Sequence, residues 1–169
     1  MRGRRSVRPP ALGPAHRPER IAAFFDLENL LYPLRAKGDI RPGVQALGRF
    51  MRELEARGTV VTRLAVCDRP LRRRLCLQLD RLGIRTFTHW GGFDAADRAL
   101  VQHLRGDLPA SCGVVIIGSG DHAFAPEAAR LRAEGRSVEV LALPTSLSGE
   151  LRRAADRVHR FITRGGEAA

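Results

Sequence analysis

Five short apolar runs, at 21–25, 60–66, 84–88, 114–117 and 138–143, are each followed by a stretch with helical periodicity. That alternation leaves few folds open. Runs rich in β-branched residues read as buried strands, and the stretches at roughly 43–57, 70–82, 95–105, 123–134 and 147–155 read as helices. Strands alternating with helices predict βαβ units, a parallel sheet and right-handed crossovers. A last short run at 158–162 is expected to add an edge strand. Gly58, Gly83 and Gly135 stand where a helix should stop before the next strand. Leu71, Leu75, Leu79 and Leu82 recur at helical spacing between arginines, a stripe that belongs to core packing.

The chain has 169 residues, enough for one domain with a sizeable core. Residues 1–19 are rich in Arg, Pro and Gly and are expected to form a disordered basic tail. The folded domain is expected over 20–163, with a flexible C-terminus at 164–169. The basic N-terminus lacks a continuous apolar segment, so a signal peptide is not expected. No apolar run approaches the ~20 residues of a membrane span, and a cytoplasmic protein without membrane attachment is the expectation. The formal net charge is +11, of which residues 1–20 carry +5. Such a balance attracts polyanions. Lys37 is the only lysine, so the bias toward arginine also reflects codon usage of a GC-rich kind. Cys67, Cys76 and Cys112 show no CxxC spacing and read as reduced thiols. The five histidines form no zinc pattern.

The chemistry is carried by acids at the ends of the strand-like runs. Ile21-Ala22-Ala23-Phe24-Phe25 ends in Asp26, and Val114-Val115-Ile116-Ile117 runs through Gly118-Ser119-Gly120 into Asp121. Carboxylates at two strand ends converge beyond the carboxyl edge of a parallel sheet, where open α/β folds bind ligands. Asp97 opens the third helical stretch, and Asn29 lies in the turn after Asp26. Oxygen ligands of this kind suit Mg²⁺ or Mn²⁺, which can neutralise charge on a phosphoryl group. Asn29 and Ser119 are expected to position water or phosphate.

Each acid also has a structural reading. Asp94 is placed to cap the third helix with Asp97 as its capping-box partner, and Asp121 to cap a helix beginning near His122. The residues after Asp26 give less reason for a cap. His103 and His122 read as surface or packing residues. Two other patterns fail on inspection. Asp26-Leu27-Glu28 resembles the nucleophile motif of haloacid-dehalogenase phosphatases, but its second acid is a glutamate and Lys37 comes too early. Residues 118–123 fit G-x-G-x-x-A, yet Asp121 would face a pyrophosphate and the next strand ends in Leu143-Pro144 rather than an acid.

Four segments, Phe24-Phe25-Asp26-Leu27-Glu28-Asn29-Leu30, Gly92-Phe93-Asp94-Ala95-Ala96-Asp97-Arg98-Ala99-Leu100, Ser119-Gly120-Asp121-His122-Ala123-Phe124 and the stretch from Ser146 to Arg157, occur in the order seen in NYN domains. The chain from Ile21 to Ile162 therefore resembles this branch of the PIN-like nuclease superfamily. The resemblance implies a three-layer α/β/α fold with a central, mostly parallel five- or six-stranded sheet and an acidic pocket at its C-terminal edge. It further implies an endoribonuclease that depends on Mg²⁺ or Mn²⁺, with Asp26, Asp97 and Asp121 as catalytic and metal-holding residues. RNA is the implied partner, beside a protein partner or a second copy of the chain. Asp156 matches a late family aspartate and reads as structural. The chain departs from the pattern at Ala123, where Ser-Gly-Asp-x-Asp has its second acid, and at His103, where a third-helix acid is often found. A basic or polar residue before Ala95-Ala96-Asp97 is also replaced by Phe93-Asp94. These losses define the alternative, a domain that has lost catalysis and binds RNA or a protein.

Overall fold

Phe24 and Phe25 are neighbours in sequence and both fully buried, because they point to opposite faces of one central strand. Burying each ring contributes about 1.5–3 kcal/mol. In the computed structural model, which describes residues 18–35, 39–89, 91–92 and 94–162, that strand is β1, Glu19–Asp26. It is joined by β2 (Gly58–Cys67), β3 (Arg85–Thr88), β4 (Val114–Gly118), β5 (Ser137–Ala142) and β6 (Arg157–Arg160). All five pairings are parallel, and the order is β3-β2-β1-β4-β5-β6. Residues 1–17 of the tail expected at 1–19 and the expected C-terminal segment at 164–169 lie outside the described residues, while Glu19 is the first residue of β1.

Helices α1 (Leu27–Arg35), α2 (Arg41–Arg57) and α3 (Arg69–Arg81) cover one face. Their Leu31, Leu47, Leu54, Leu75 and Leu79 pack on Ile21, Ala23, Phe25 and Ala65. Helices α4 (Ala95–Gly106), α5 (Ala125–Ala133) and α6 (Gly149–Ala154) cover the other, where Leu100, Leu104, Leu131 and Leu151 meet Ala22, Phe24, Leu64 and Val115. The fold is a three-layer α/β/α sandwich. Gly83 and Gly135 take left-handed φ of 66° and 82° after α3 and α5, as their placement predicts.

The sequence reading missed α1. Asp26 is the last residue of β1 and Leu27 the first of α1, so no turn residue announces the helix, and Pro33 lies inside it. The stretch expected as one helix at 123–134 divides into a 3-10 turn, His122–Phe124, and α5. The strand expected at 158–162 is β6, shifted slightly toward the N-terminus.

At the N-terminal edge of the sheet the charges are matched. Glu139 on β5 is 3% exposed and takes two hydrogen bonds from Arg57, at 2.8 and 2.7 Å, and one from His159 at 2.6 Å. Burial alone would push its carboxyl up; these donors outweigh it and hold it down to about 2. Arg57 also bridges to Glu19 at 2.9 Å.

Candidate functional site

The strand order reverses between β1 and β4, and chains leaving these two strands turn to opposite faces. A crevice opens there, beyond the strands' carboxyl ends. It is a cleft of about 450 Å³ lined by Asp26, Glu28, Asn29, Asp68, Asp94, Asp97 and Asp121, with His89, Gly91 and Gly92. Among the described residues no lysine or arginine lines it.

Asp26 forms the floor. It is 4% exposed, and its Oδ1 accepts from the backbone N–H groups of Glu28 and Asn29, both at 3.1 Å. It therefore caps α1, a role that the residues after Asp26 do not announce in the sequence. Burial pushes the Asp26 carboxyl up to about 7; the charges of Asp97 and Glu28 add to this, against the two N–H bonds. Asp97 is also raised, first by burial and then by Asp121 and Asp94, and its hydrogen bond with Asp26 opposes the shift. Two carboxylates share a hydrogen bond only through a proton, so Asp26 and Asp97 titrate as a pair.

Asp121 is both cap and cleft residue. Its Oδ1 accepts from Ala123 N–H at 2.8 Å and lies 3.0 Å from His122 Nδ1. The expected capping box on α4 does not form. Asp94 sits at the N-cap position in left-handed geometry (φ 61°) and its side chain makes no cap bond. Asp97 turns to Asp26 instead.

Asn29 lines the cleft and ties it together. Its Oδ1 accepts from Gly120 N–H at 2.9 Å. Ser119 is not a lining residue. It is fully buried, and its hydroxyl accepts from Asp121 N–H at 3.2 Å, so it shapes the turn that presents Asp121. Gly120 is needed because the backbone is crowded there: a Cβ would sit 2.3 Å from the Ser146 carbonyl oxygen. His103 lies outside the lining, 4.2 Å from the Phe87 ring and 2.5 Å from Asp107. An acid absent at that position removes nothing from the cleft wall. Asp156 accepts from Val138 N–H at 2.9 Å and bridges to Arg132, the structural role expected of it.

The sequence reading missed Glu28, Asp68 and His89. Asp68 follows β2 as Asp26 ends β1, so the strand-end rule could have found it. It caps α3 through Leu71 N–H at 2.7 Å and accepts from the Tyr32 hydroxyl. Glu28 accepts from His89 Nε2 at 2.5 Å, and His89 Nδ1 is buried without a hydrogen-bond partner among the described residues.

Among the described residues no three His, Cys, Asp or Glu side chains are close enough to hold a metal ion directly. Asp26, Asp97 and Asp121 thus line an open cleft rather than a preformed cage. The donor set still fits a hydrated hard cation. It is all oxygen, burial and then the neighbouring acids raise two of its carboxyls, and Mg²⁺ takes only one or two carboxylates while keeping its waters.

A model of the NYN domain family matches residues 20–162. No curated protein matches the chain. Among solved structures it resembles a protein of unknown function from Vibrio parahaemolyticus, at 20% identity and a TM-score of 0.71, over 88% of this chain and 96% of that one. At that identity the likeness shows the fold alone. No helix among the described residues is long and apolar enough to cross a membrane.

Proposed function

Because the chain belongs to the NYN domain family, within the PIN-like nuclease superfamily, we propose that it is an endoribonuclease dependent on Mg²⁺ or Mn²⁺ that works in the acidic cleft. One observation carries this reading. Asp26, Asp97 and Asp121 come from three separate elements, and among the described residues no lysine or arginine lines the cleft they share. A fold built for stability alone gains nothing from such an arrangement.

Asp26, Asp97 and Asp121 would hold the cation, directly or through its waters. When bound, it would neutralise charge on the scissile phosphate and acidify water. The cation needs Asp26 ionised, and with burial pushing that carboxyl up to about 7 this happens around neutral pH. Asn29 keeps the Gly120 turn against β1, which fixes the spacing of Asp121 from Asp26. The remaining polar end of Asn29, its amide NH₂, is suited to a phosphate oxygen.

The second reading, an RNA-binding domain without catalysis, is favoured by Ala123, whose family counterpart is acidic. The test is cleavage of single-stranded RNA with Mg²⁺ or Mn²⁺, comparing wild type with Asp26→Asn. The wild type should cut and the variant should not. Equal cleavage by both would remove Asp26 from the chemistry, and binding without cleavage in either would favour the second reading.

A further inference from the structure

The cleft sets an electrostatic problem. Six carboxylates line it, and no lysine or arginine does among the described residues. A cation can neutralise one phosphate, but the flanking phosphates of a strand would be repelled. The strand must be held by positive charge close by.

A second groove, of about 500 Å³, is lined by Arg69, Arg72, Arg73, Cys76 and Thr88. It adjoins the cleft at two points in the chain. Asp68 lines the cleft and Arg69 the groove, at the start of α3; His89 lines the cleft and Thr88 the groove, at the end of β3. Among the described residues no acid lines the groove. Arg72 and Arg73 are exposed and make no ion pair among the described residues, unlike Arg57, Arg63, Arg105 and Arg130, which are each held by an acid. Guanidinium groups without an acid partner suit phosphate, which they can bind with two parallel bonds.

We propose that this groove is the subsite that holds the RNA backbone next to the scissile phosphate, with Arg72 and Arg73 as its main phosphate contacts. The inference rests on the nuclease reading and deepens it by naming the side of the cleft on which the strand runs. Contact through phosphates makes recognition independent of base sequence and strongly dependent on salt. Another basic groove, lined by Arg49, Arg52, Arg81, Gln45 and Gln78 between α2 and α3, has no residue next in sequence to a cleft residue and serves as the control.

The experiment measures binding rather than cleavage, in EDTA, with the full chain and a labelled single-stranded RNA of about 12 nucleotides. Arg72→Ser/Arg73→Ser should weaken binding about tenfold at low salt and flatten the plot of log K against log[salt] by about 1.4, the value for two lost phosphate contacts. Arg49→Ser/Arg52→Ser should change either quantity little. Cys76 provides a second readout. It is the exposed thiol, while Cys67 and Cys112 are buried, so bound RNA should slow its alkylation in the wild type. Wild-type binding that is unchanged in the Arg72/Arg73 variant, or that leaves Cys76 fully reactive, overturns the groove and leaves the nuclease reading standing. A wild type that neither binds nor cuts RNA overturns both.

Discussion

The side-chain oxygen of Asn29 accepts the backbone N–H of Gly120 at 2.9 Å, joining residues 91 positions apart in the chain. One is in the first turn of α1 and the other in the turn after β4. The same turn is held from its other side by Ser148, whose N–H donates to the Gly120 carbonyl at 2.8 Å. Gly120 is thus clamped between the ends of β1 and the segment leading into α6, and Asp121 moves only if both clamps release.

Gly120→Ala should be severely destabilising for a surface-proximal change. The new Cβ would meet the Ser146 backbone, which has no rotamer to retreat into, and the cost should be about 3 kcal/mol. Asn29→Ala should cost roughly 1–3 kcal/mol by leaving the Gly120 N–H without its acceptor, whereas Asn29→Asp keeps the acceptor and should cost less. Urea denaturation of the three variants gives the ranking, and an Asn29→Ala protein as stable as the wild type would show that the clamp is dispensable.

Asp26→Asn should stabilise the protein while removing activity. The folded carboxyl titrates near 7, against about 3.9 in an unfolded chain. A raised pKa means that the stabilising form is the protonated one, fully present below about pH 4 and lost as pH rises through 7. Asparagine imitates that form at every pH. With metal chelated, the variant should therefore exceed the wild type by up to ~4 kcal/mol above pH 7, the difference shrinking toward pH 4. Melting curves across that range test the sign: a gap that widens toward acid contradicts it.

Manganese should raise the melting temperature by binding only the folded chain. At a hundred times Kd the stabilisation is about 2.7 kcal/mol. The shift should be larger at pH 8 than at pH 6, because the ligands must shed their proton first. It should be lost in Asp97→Asn.

The buried cluster at the opposite edge obeys the reverse pH rule. Glu139 is held down to about 2, so its stabilisation is present above the unfolded glutamate value and disappears as pH falls toward 2. Glu139→Ala leaves Arg57 and His159 without their shared acceptor, and should cost about 3–5 kcal/mol near neutrality. Its acid unfolding midpoint against that of the wild type is the measurement, and coincident acid limbs would count against the assignment.

Thiol chemistry should separate the three cysteines. Burial pushes Cys67 up to about 12 and raises Cys112, and the thiolate is the reactive form. Native protein should alkylate at Cys76 alone, with Cys67 and Cys112 following only on unfolding.

Much of this architecture was legible in the sequence because it is written in periodicity. The apolar runs at 21–25 and 114–117 specify two strands buried on both faces, and the acids after them specify the edge where a site forms. What escaped was written in contacts. The helix after Asp26 has no turn residue before it and contains Pro33, so its existence depends on packing against β1 rather than on local signals. Ser119 reads as a cleft residue by its neighbours, but the turn after β4 buries it and its hydroxyl accepts the Asp121 N–H. The pairing of Asp97 with Asp26 across 71 positions could not be inferred from either local sequence, since Asp97 reads there as a capping-box partner of Asp94. Glu28 and His89 join the site only once β1 and β3 stand in one sheet, whereas Asp68, at the end of β2, is within reach of the strand-end rule.

The passage from β1 to α1 without an intervening residue has a consequence for how such a cleft can diverge. Asp26 has a strand behind it and a helix ahead of it, and so no hinge on either side. The facing wall is hung between β3 and α4, where Gly91 and the left-handed Asp94 break the regular backbone. Insertions and charge changes can accumulate there without disturbing the floor. One wall of the cleft is therefore a fixed datum, and new specificity has to be written on the other.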